Sequence, residues 1–533
     1  MSASLHHHHA ASTPGDDWPA FLDAAHQMTN ASCCGGGGGG SVPVAGAAAR
    51  PPILLDQGIA AWREGVRAAR PRVPMERGPF VLPGVTLHEA GRAPEGPVDL
   101  LIAEGRVAGI NPPGTIGGAV RVVEALRRHV VTTALTDMHI HMPPDNILRL
   151  TPLFMLLNLR FGVVRARDAG DPDGSSTPAA LSLVQSGALP GPQIHYAYAF
   201  VGDGRARWGN TIAMTHPDEA EGIVARLQFA GASWIKAYEN LDAPRIAALC
   251  RAAEAAGMQV MGHVPTQLRL EDARLPDAQH GFGIPDPASL RRDHILNRNI
   301  DWQTVDRTRI EQVIEGCLAH GLAMTPTLVT TRGLLRMADW EQQRRAPDTR
   351  LLPGFYTDIV WHPDHGLPVY RGITPEDFDR ARDAFARKLE VVGAAAKAGV
   401  DLRLGTDTQQ PFIIPGIALH DEMRAFEAAG VAREQVWRMA GPDASRKLGV
   451  EDAGRIAVGQ RADLIVTQRS PLSPDWSPDM IKATICGGAC LLASDLDSAI
   501  RVELRRFENR FARHLVRWLA RFSLEKAARD FVG

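Results

Sequence analysis

Cysteine, long apolar runs and excess charge are all scarce in this chain of 533 residues. Six cysteines are too few for a disulfide scaffold of this size, so we expect them to be buried, reduced thiols. The best candidate for a membrane span, residues 152–164, is interrupted by Asn158 and Arg160, which excludes a transmembrane helix there. Lys plus Arg is 58 and Asp plus Glu is 60, and a net charge of −2 argues against a nucleic-acid-binding protein.

The sequence also gives expectations for the cellular location and the partners of the protein. No positively charged segment followed by an apolar one is visible near residue 1, so we expect a cytoplasmic protein. We expect its partner to be a small-molecule substrate, with no nucleic acid and no membrane, and we expect a homo-oligomer. One cysteine pair, Cys486 and Cys490 in the run CGGAC, leaves open a metal or redox role beside the ordinary role of small buried residues.

Composition divides the chain into four parts. Residues 1–50 are rich in Gly, Ala, Ser and His and are predicted to be a disordered low-complexity segment. Short strand patterns in 78–131 and 454–500 predict one composite β-sandwich, and 497–533 reads as an amphipathic C-terminal helix. Between them, residues 132–445 alternate short apolar runs with helical stretches.

That alternation predicts the fold class, an α/β protein with a (β/α)8 TIM barrel. Each apolar run has the length of a strand and is followed by a helical pattern of 10 to 20 residues. The eight predicted barrel strands are 133–142, 162–167, 193–200, 233–238, 259–263, 278–282, 323–328 and 401–407.

The first candidate site is the run Asp137-Met138-His139-Ile140-His141 on the first barrel strand. Residues two apart on a strand share a face, so His139 and His141 project together, with Asp137 on the same side. Two imidazoles on a rigid element can chelate one metal ion. Read alone, the pattern also fits a pair of core histidines.

Lysine is rare, with six residues against 52 arginines, and Lys236 interrupts an apolar strand. A buried amine loses its proton readily, and a neutral amine can add carbon dioxide to form a carbamate that bridges two metal ions. The alternative is a lysine paired with a core carboxylate.

Three further polar residues follow later strands. His263, His280 and Asp407 each lie where a barrel strand should give way to its C-terminal loop, the face on which barrel enzymes place their sites. Imidazoles combined with carboxylates suit zinc or a similar divalent ion.

Together these segments resemble the amidohydrolase superfamily of metal-dependent hydrolases, and within it the imidazolonepropionase-like and Xaa-Pro-dipeptidase-like group. The similar segments are Asp137 to His141, Trp234 to Tyr238, Met261 to His263, Gln279 to Gly281, Gly405 to Thr408 and Gly454 to Leu464. The resemblance implies two divalent metal ions, most simply Zn²⁺. His139, His141 and Asp407 would hold one ion, His263 and His280 the other, and carboxylated Lys236 would bridge them.

The resemblance also implies a reaction. Hydroxide formed on the metals would cleave an amide bond of a peptide or N-acyl amino acid, with Asp407 as catalytic general base and then general acid. A lactone or organophosphate ester hydrolase would use the same metal centre and remains open, as does, more remotely, a barrel scaffold without catalysis.

Substrate contacts are predicted at Tyr238, Arg205 and Arg207. Tyr238 lies two residues after Lys236 and so shares its face. Arg205 and Arg207 lie in the loop after the third barrel strand and could pair with a substrate carboxylate through two parallel hydrogen bonds. The alternatives are solvated arginines and a tyrosine that only packs.

The long connection after the seventh strand, residues 330–380, is the last feature. It is too aromatic for simple disorder, and we expect it to form either a lid over the barrel mouth or an insertion packed on the outer wall or on a neighbouring subunit.

Overall fold

The computed structural model of the chain describes residues 72–531, apart from 76, 119, 147, 205–207, 239, 292–294 and 509. The predicted disordered segment, residues 1–50, lies outside the described residues. Within the described ranges, no helix is both long and apolar enough to cross a membrane.

Strands occur in 78–131, in 132–445 and in 454–500. In chain order they are β1 (Phe80–Leu87), β2 (Glu95–Ala103), β3 (Arg106–Asn111), β4 (Arg121–Val122), β5 (Val130–Thr133), β6 (Leu135–Ile140), β7 (Val163–Asp168), β8 (Gln193–Tyr196), β9 (Phe200–Gly202), β10 (Thr211–Ala213), β11 (Trp234–Ala237), β12 (Gln259–Gly262), β13 (Asp277–Gln279), β14 (Ala323–Thr325), β15 (Asp401–Leu402), β16 (Leu464–Thr467), β17 (Ile481–Cys486) and β18 (Ala489–Leu492).

Helices alternate with the strands from β6 onward. They are α1 (Thr151–Arg160), α2 (Ser176–Gln185), α3 (Ala220–Phe229), α4 (Ala243–Ala255), α5 (Leu270–Ala273), α6 (Ile295–Ile300), α7 (Arg307–His320), α8 (Leu328–Met337), α9 (Trp340–Gln343), α10 (Pro375–Ala398), α11 (Ile417–Ala428), α12 (Arg433–Arg438), α13 (Ala444–Lys447), α14 (Ala493–Arg505) and α15 (Arg510–Phe531). Two π-helical turns occur at Tyr356–Val360 and Met439–Asp443.

The protein is an α/β protein with parallel sheets, as the alternation predicts. A three-stranded sheet has the order β6-β7-β8, and a seven-stranded sheet has the order β10-β9-β11-β12-β13-β14-β15. Every neighbouring pair in these two sheets is parallel. Because helices cover such sheets, their strands are buried on both faces, and all six residues of β6 are buried, the polar ones included.

Backbone hydrogen bonds join the two parallel sheets at both ends. Ser233 N donates to Tyr196 O over 3.0 Å, which connects β8 to the start of β11. At the other end Met138 N donates to Leu404 O over 2.9 Å, which connects β6 to the chain just after β15.

The longest helix, α10, has clear start and stop signals. Thr374 and Asp377 form a reciprocal capping box at its N-terminus, with Pro375 in the first turn. The helix ends at Gly399, whose φ of 85° is the left-handed conformation that glycine adopts without cost. These caps fix the helix that carries Lys388.

The segments before and after the parallel sheets form one further sheet. Its order is β18-β17-β16-β5-β1-β2-β3, with β4 beside β1. Val131 of β5 lies opposite Val466 of β16 in an antiparallel pair, so the two distant segments meet in register. Leu100, Val131 and Ile485 share one hydrophobic cluster, which shows that both segments build one core. The two-layered sandwich stays a prediction.

The C-terminal segment contains two helices rather than the single one expected from 497–533. The helix α14 packs on α1, and Arg160 Nε donates to Asp497 Oδ1 over 2.6 Å. The helix α15 packs instead on the segment around the first π-helical turn, where Arg517 pairs with Asp358.

Candidate active site

The predicted ligand residues converge at the carboxyl ends of the parallel strands. His139 belongs to β6, and His141 follows that strand directly. His263 and His280 each follow their strand, β12 and β13, by one residue. These side chains, together with Lys236 of β11 and Asp407 of the loop after β15, are all buried. The five separate segments therefore build one site.

Two glycines of the motifs are required by close backbone approach. A Cβ atom on Gly262 would lie 1.8 Å from Ala237 O, so β12 could not pack beside β11 at this point. A Cβ atom on Gly405 would lie 2.5 Å from the Cβ of His139. The glycines before His263 and Asp407 thus let the ligand-bearing strands approach each other.

His139, His141 and Asp407 form the tightest group. The two Nε2 atoms are 3.3 Å apart, and Asp407 Oδ1 lies 3.3 Å from each of them. Neither carboxylate oxygen of Asp407 has a hydrogen-bond partner of good geometry in the described part of the chain, although both are buried. Three ligand atoms within 4.8 Å of one another, with buried oxygens left to satisfy, fit a metal ion.

Histidine tautomers also fit metal binding. His141 Nδ1 lies 2.8 Å from Gly170 O, and a carbonyl only accepts, so Nδ1 is the donor of this bond and Nε2 is the atom directed at His139 and Asp407. His280 Nδ1 lies 2.7 Å from Thr327 Oγ1. Its Nε2 has no hydrogen-bond partner among the described residues. Both rings are therefore oriented by a second partner, as metal-bound histidines usually are.

Burial favours the neutral imidazole of His139, His263 and His280. Desolvation, together with the nearby Lys236 charge, lowers the pKa of His139 to about 3. Desolvation likewise places the pKa values of His263 and His280 well below the ordinary value. Burial would raise the pKa of Asp407, but His280 and the other neighbouring histidines hold that pKa well below the usual range. Neutral imidazoles and an ionised carboxylate are the protonation states that bind a cation.

The second histidine pair lies beside the first. The ring centroids of His263 and His280 are 4.8 Å apart, and His280 is also 4.8 Å from His139. His280 Nδ1 lies 3.9 Å from Asp407 Oδ2. His280 and Asp407 both have left-handed backbones, with φ of 63° and 55°. Such strain at two neighbouring polar residues is typical of functional sites.

Lys236 lies between the two histidine pairs and is completely buried. Its Nζ donates to Gln279 Oε1, and its charge acts on both His139 and His263. The partner is thus an amide, where the alternative interpretation expected a core carboxylate. In the sequence Gln279 is only the neighbour of His280, and no pattern there indicates that it contacts Lys236.

Asp137 supports the site rather than joining the group. Its Oδ1 accepts from His139 N and Thr406 N, each over 3.1 Å, and its Oδ2 accepts from Thr406 Oγ1 over 2.7 Å. Burial raises the pKa of Asp137 to about 7. The residue ties β6 to the loop that carries Asp407.

Of the predicted substrate residues, Tyr238 lies in the described part of the chain. Tyr238 is buried, its hydroxyl accepts from Trp208 Nε1 over 3.2 Å, and its ring centroid is 4.6 Å from that of His263. Its ring also packs 5.0 Å from that of Phe200. Arg205 and Arg207 lie outside the described residues.

A narrow cavity opens from the site on the side of His280 and Asp407. Its wall includes Asn299 of α6 and Tyr370 of the long connection. Tyr370 donates to Gln410 Oε1 over 2.7 Å, so the connection after the seventh strand covers this side of the site.

The cysteine pair of CGGAC does not form a site. Cys486 lies opposite Ala489 and Cys490 opposite Ile485 in the β17–β18 pair, so the two side chains point to opposite faces of the sheet. Burial raises both thiol pKa values to about 12. Cys490 is buried and Cys486 half-buried, and because their side chains lie on opposite faces, the metal or redox interpretation of this pair is wrong.

Comparison with solved structures places the fold among known hydrolases. A bottromycin amidohydrolase is 22% identical, with a TM-score of 0.60, over 86% of this chain and 94% of that one. A Xaa-Pro dipeptidase with methionine bound in its active site is 16% identical, with a TM-score of 0.56, over 78% of this chain and 100% of the other. A prolidase complexed with N-methylphosphonate-L-proline is 17% identical, with a TM-score of 0.56, over 78% of this chain and 99% of that one. No curated protein sequence matches the chain.

A family model decides the membership. The model of the amidohydrolase family matches residues 130–491, which is more than half of the chain and includes every candidate ligand. The resemblance seen in the motifs is thereby confirmed, and the dipeptidase-like group is represented among the structures that share the fold. The chain belongs to the amidohydrolase family and is a hydrolase that acts on carbon–nitrogen bonds.

Proposed function

We propose that this protein is a binuclear metal-dependent amidohydrolase that cleaves the amide bond of an N-acyl amino acid or a dipeptide. The observation that carries the proposal is the buried cluster of four histidines and the Asp407 carboxylate around Lys236. His139, His141 and Asp407 would hold one divalent ion, and His263 and His280 a second, with carboxylated Lys236 between them. Bound metal would supply a Lewis acid that lowers the pKa of water and polarises the scissile carbonyl.

The chain itself contributes proton transfer and exclusion of water. Asp407 would take a proton from the attacking water at a carboxylate oxygen and deliver it to the leaving amine. Its position against three histidines favours the ionised form that a general base needs. Tyr370, in the wall of the cavity, would limit the access of bulk water to the reaction.

The finer features of the fold belong to the same proposal. We infer that the two parallel sheets close into one eight-stranded barrel, because hydrogen bonds join β8 to β11 and β6 to the chain after β15. We also infer that the eighth strand includes more of the predicted 401–407 than β15, since Asp407 N donates to His139 O over 2.8 Å. Zinc as the metal, a cytoplasmic location and a homo-oligomer remain predictions from the sequence.

Metal analysis tests the ligand set. The purified protein should contain close to two divalent ions per chain, and Lys236→Ala should lose most of this metal, with no recovery on adding bicarbonate. Lys397→Ala, at an exposed position on α10, is the matched control and should retain both ions. Full metal occupancy in Lys236→Ala would refute the bridging role.

Turnover tests the assignment of Asp407 and the reaction class. Asp407→Asn keeps the shape of the side chain but cannot accept the proton, so activity should fall about 10²- to 10⁴-fold. The assay compares N-acyl amino acids and Xaa-Pro dipeptides with a lactone and paraoxon. Faster hydrolysis of either ester than of every amide would favour the lactone or organophosphate alternative. A metal-loaded protein without any turnover would favour the non-catalytic scaffold.

A further inference from the structure

Helix α6 forms a wall of the site that contains no residue predicted from the sequence. Asn299, near the end of this helix, lines the same cavity as His280 and Asp407. Helix α6 also packs against α10, and Thr331 of α8 is hydrogen-bonded to Asn299. Asn299 therefore connects the cavity with the protein interior.

The interior partners fix the orientation of the Asn299 amide. Lys388 Nζ donates to Asn299 Oδ1 and also to Thr331 Oγ1, the latter over 2.7 Å. Thr331 Oγ1 donates to the same Asn299 oxygen over 3.0 Å. An ammonium group has no acceptor, so the amide must present its oxygen to Lys388. In the described chain no partner occupies Nδ2 of Asn299, and this donor remains for a molecule in the cavity.

Two buried cations lie behind the same wall. Lys388 is one, and its Nζ also lies 5.0 Å from the ring centroid of Trp302. The other is Arg298, whose guanidinium lies 4.0 Å from the ring centroid of Phe282, a residue that lines the cavity. These two cations repel a protonated amine and attract an anionic oxygen, against the opposite effect of the ionised Asp407 in the same cavity wall.

We propose that Asn299 binds the carboxylate of the substrate through its Nδ2 donor, and that Lys388 is the positioning residue that fixes the amide. This inference rests on the proposed amide hydrolysis and specifies which part of the substrate lies against α6. It assigns the carboxylate to the side of the site where His280 and Asp407 lie, rather than to Tyr238. The preferred substrate is then an amide with a free carboxylate next to the scissile bond and no free amine directed at α6.

The Asn299→Asp variant separates recognition from packing. Aspartate keeps an oxygen acceptor for Lys388 and Thr331, but it replaces the donor toward the cavity by a second acceptor. We expect kcat/KM for an N-acyl amino acid to fall about 10-fold or more, mainly through KM, because a hydrogen bond to a charged group is lost. The carboxyl-amidated analogue can donate to the aspartate and should lose less than the free acid.

Two further variants test whether the effect is specific to Asn299 and whether Lys388 acts by positioning its amide. Asn297→Asp makes the same change at a buried position of α6, where Oδ1 accepts from Arg291 Nη2 over 2.9 Å, and should leave the preference for acid over amide unchanged. Lys388→Met should reduce that preference without loss of metal, whereas a lysine with only a structural role would lower both activities equally. Melting temperatures establish that each variant is folded.

A binding measurement distinguishes failure of this inference from failure of the proposed function. Calorimetric titration with N-acetyl-L-proline and its carboxamide reports on recognition even without turnover. Tighter binding of the acid by the wild type, reversed in Asn299→Asp, supports the inference whether or not amides are cleaved. An unchanged preference in Asn299→Asp, or a reversal in Tyr238→Phe instead, overturns it while amide hydrolysis stands. A wild type that neither cleaves nor binds these ligands overturns both.

Discussion

A buried ion-pair network around Asp277 allows a test of how the parallel strands are held together. Asp277 of β13 is buried, and its carboxylate lies 2.6 Å from Arg167 Nη1 and 2.9 Å from Arg403 Nη1. Thr325 Oγ1 donates to it over 2.8 Å. Arg167 also donates from Nε to Met138 O over 2.7 Å, so the network reaches the backbone between the two residues Asp137 and His139.

The stability that Asp277 contributes can be worked out from the pKa of its carboxyl and from the charges left unpaired when the carboxylate is removed. Burial opposes ionisation, but Arg167 and Arg403 lower the pKa of Asp277 from 3.8 to about 2. Each pKa unit corresponds to about 1.4 kcal/mol, so ionisation contributes on the order of 2.5 kcal/mol at neutral pH. Asp277→Asn also leaves a buried guanidinium uncompensated, and we expect a total loss of about 3–5 kcal/mol in the free energy of unfolding.

Urea unfolding followed by tryptophan fluorescence measures this loss. Trp234 is a local probe, because its ring lies 4.5 Å from the Arg167 guanidinium. The folded pKa is the lower one, so the contribution is present above the unfolded pKa of about 3.8 and is lost as the pH falls through about 2. The difference between wild type and Asp277→Asn should accordingly be constant near neutral pH and shrink below about pH 4.

The control uses an ion pair on the surface. Arg307 and Glu311 are 3.0 Å apart with side chains 92% and 63% exposed, so Glu311→Gln should change the free energy of unfolding by less than about 1 kcal/mol. A loss in Asp277→Asn no larger than in Glu311→Gln would refute the reasoning that this network holds the strands together.

The metal ligands were predictable because their signals are local. His139 and His141 are two residues apart on a strand, which alone places both on one face. His263, His280 and Asp407 each follow an apolar run, and the carboxyl ends of parallel strands meet on one side of the sheets. Lys236 was recognisable as a lysine inside an apolar strand of a chain that otherwise uses arginine.

The residues behind the cavity wall had no comparable signal. Asn299 and Lys388 are 89 residues apart, and one lies on a short helix while the other lies inside the longest amphipathic one. Lysine on a helix is ordinarily exposed, and only tertiary packing buries Lys388. The hydrogen bond between Lys236 and Gln279 also depends on the fold. Strand alternation predicts on which face of the sheet a side chain lies, but it does not predict which residue of a neighbouring strand it contacts.

Strand alternation could have excluded one wrong hypothesis. A two-residue glycine turn between Cys486 and Cys490 pairs Cys486 with Ala489, so Cys490 must face the other side. The single C-terminal helix was wrong for a different reason. Amphipathic periodicity continues on both sides of the turn between α14 and α15, and the two helices bury their apolar faces against different parts of the protein.

Two further predictions concern groups outside the ligand cluster. Burial raises the pKa of Glu422 from 4.5 to about 8. The protonated carboxyl therefore contributes to the free energy of unfolding below about pH 4.5, and this contribution is lost as the pH rises to about 8. The free energy of unfolding of the wild type relative to Glu422→Gln should fall by a few kcal/mol, on the order of that shift, between about pH 5 and pH 8, and a constant difference would contradict this. The second prediction removes residues 510–533, and with them the contact of Arg517 with Asp358 in the connection that covers the cavity. Without α15 this cover should open more often, admit water and lower kcat/KM about 10-fold at unchanged metal content, because the substrate is held less firmly in its reactive position. Trp518→Ala, at an exposed position of the same helix, should have no effect. Wild-type kinetics in the shortened protein would mean that the connection stays in place without α15, and that this helix has no part in closing the site.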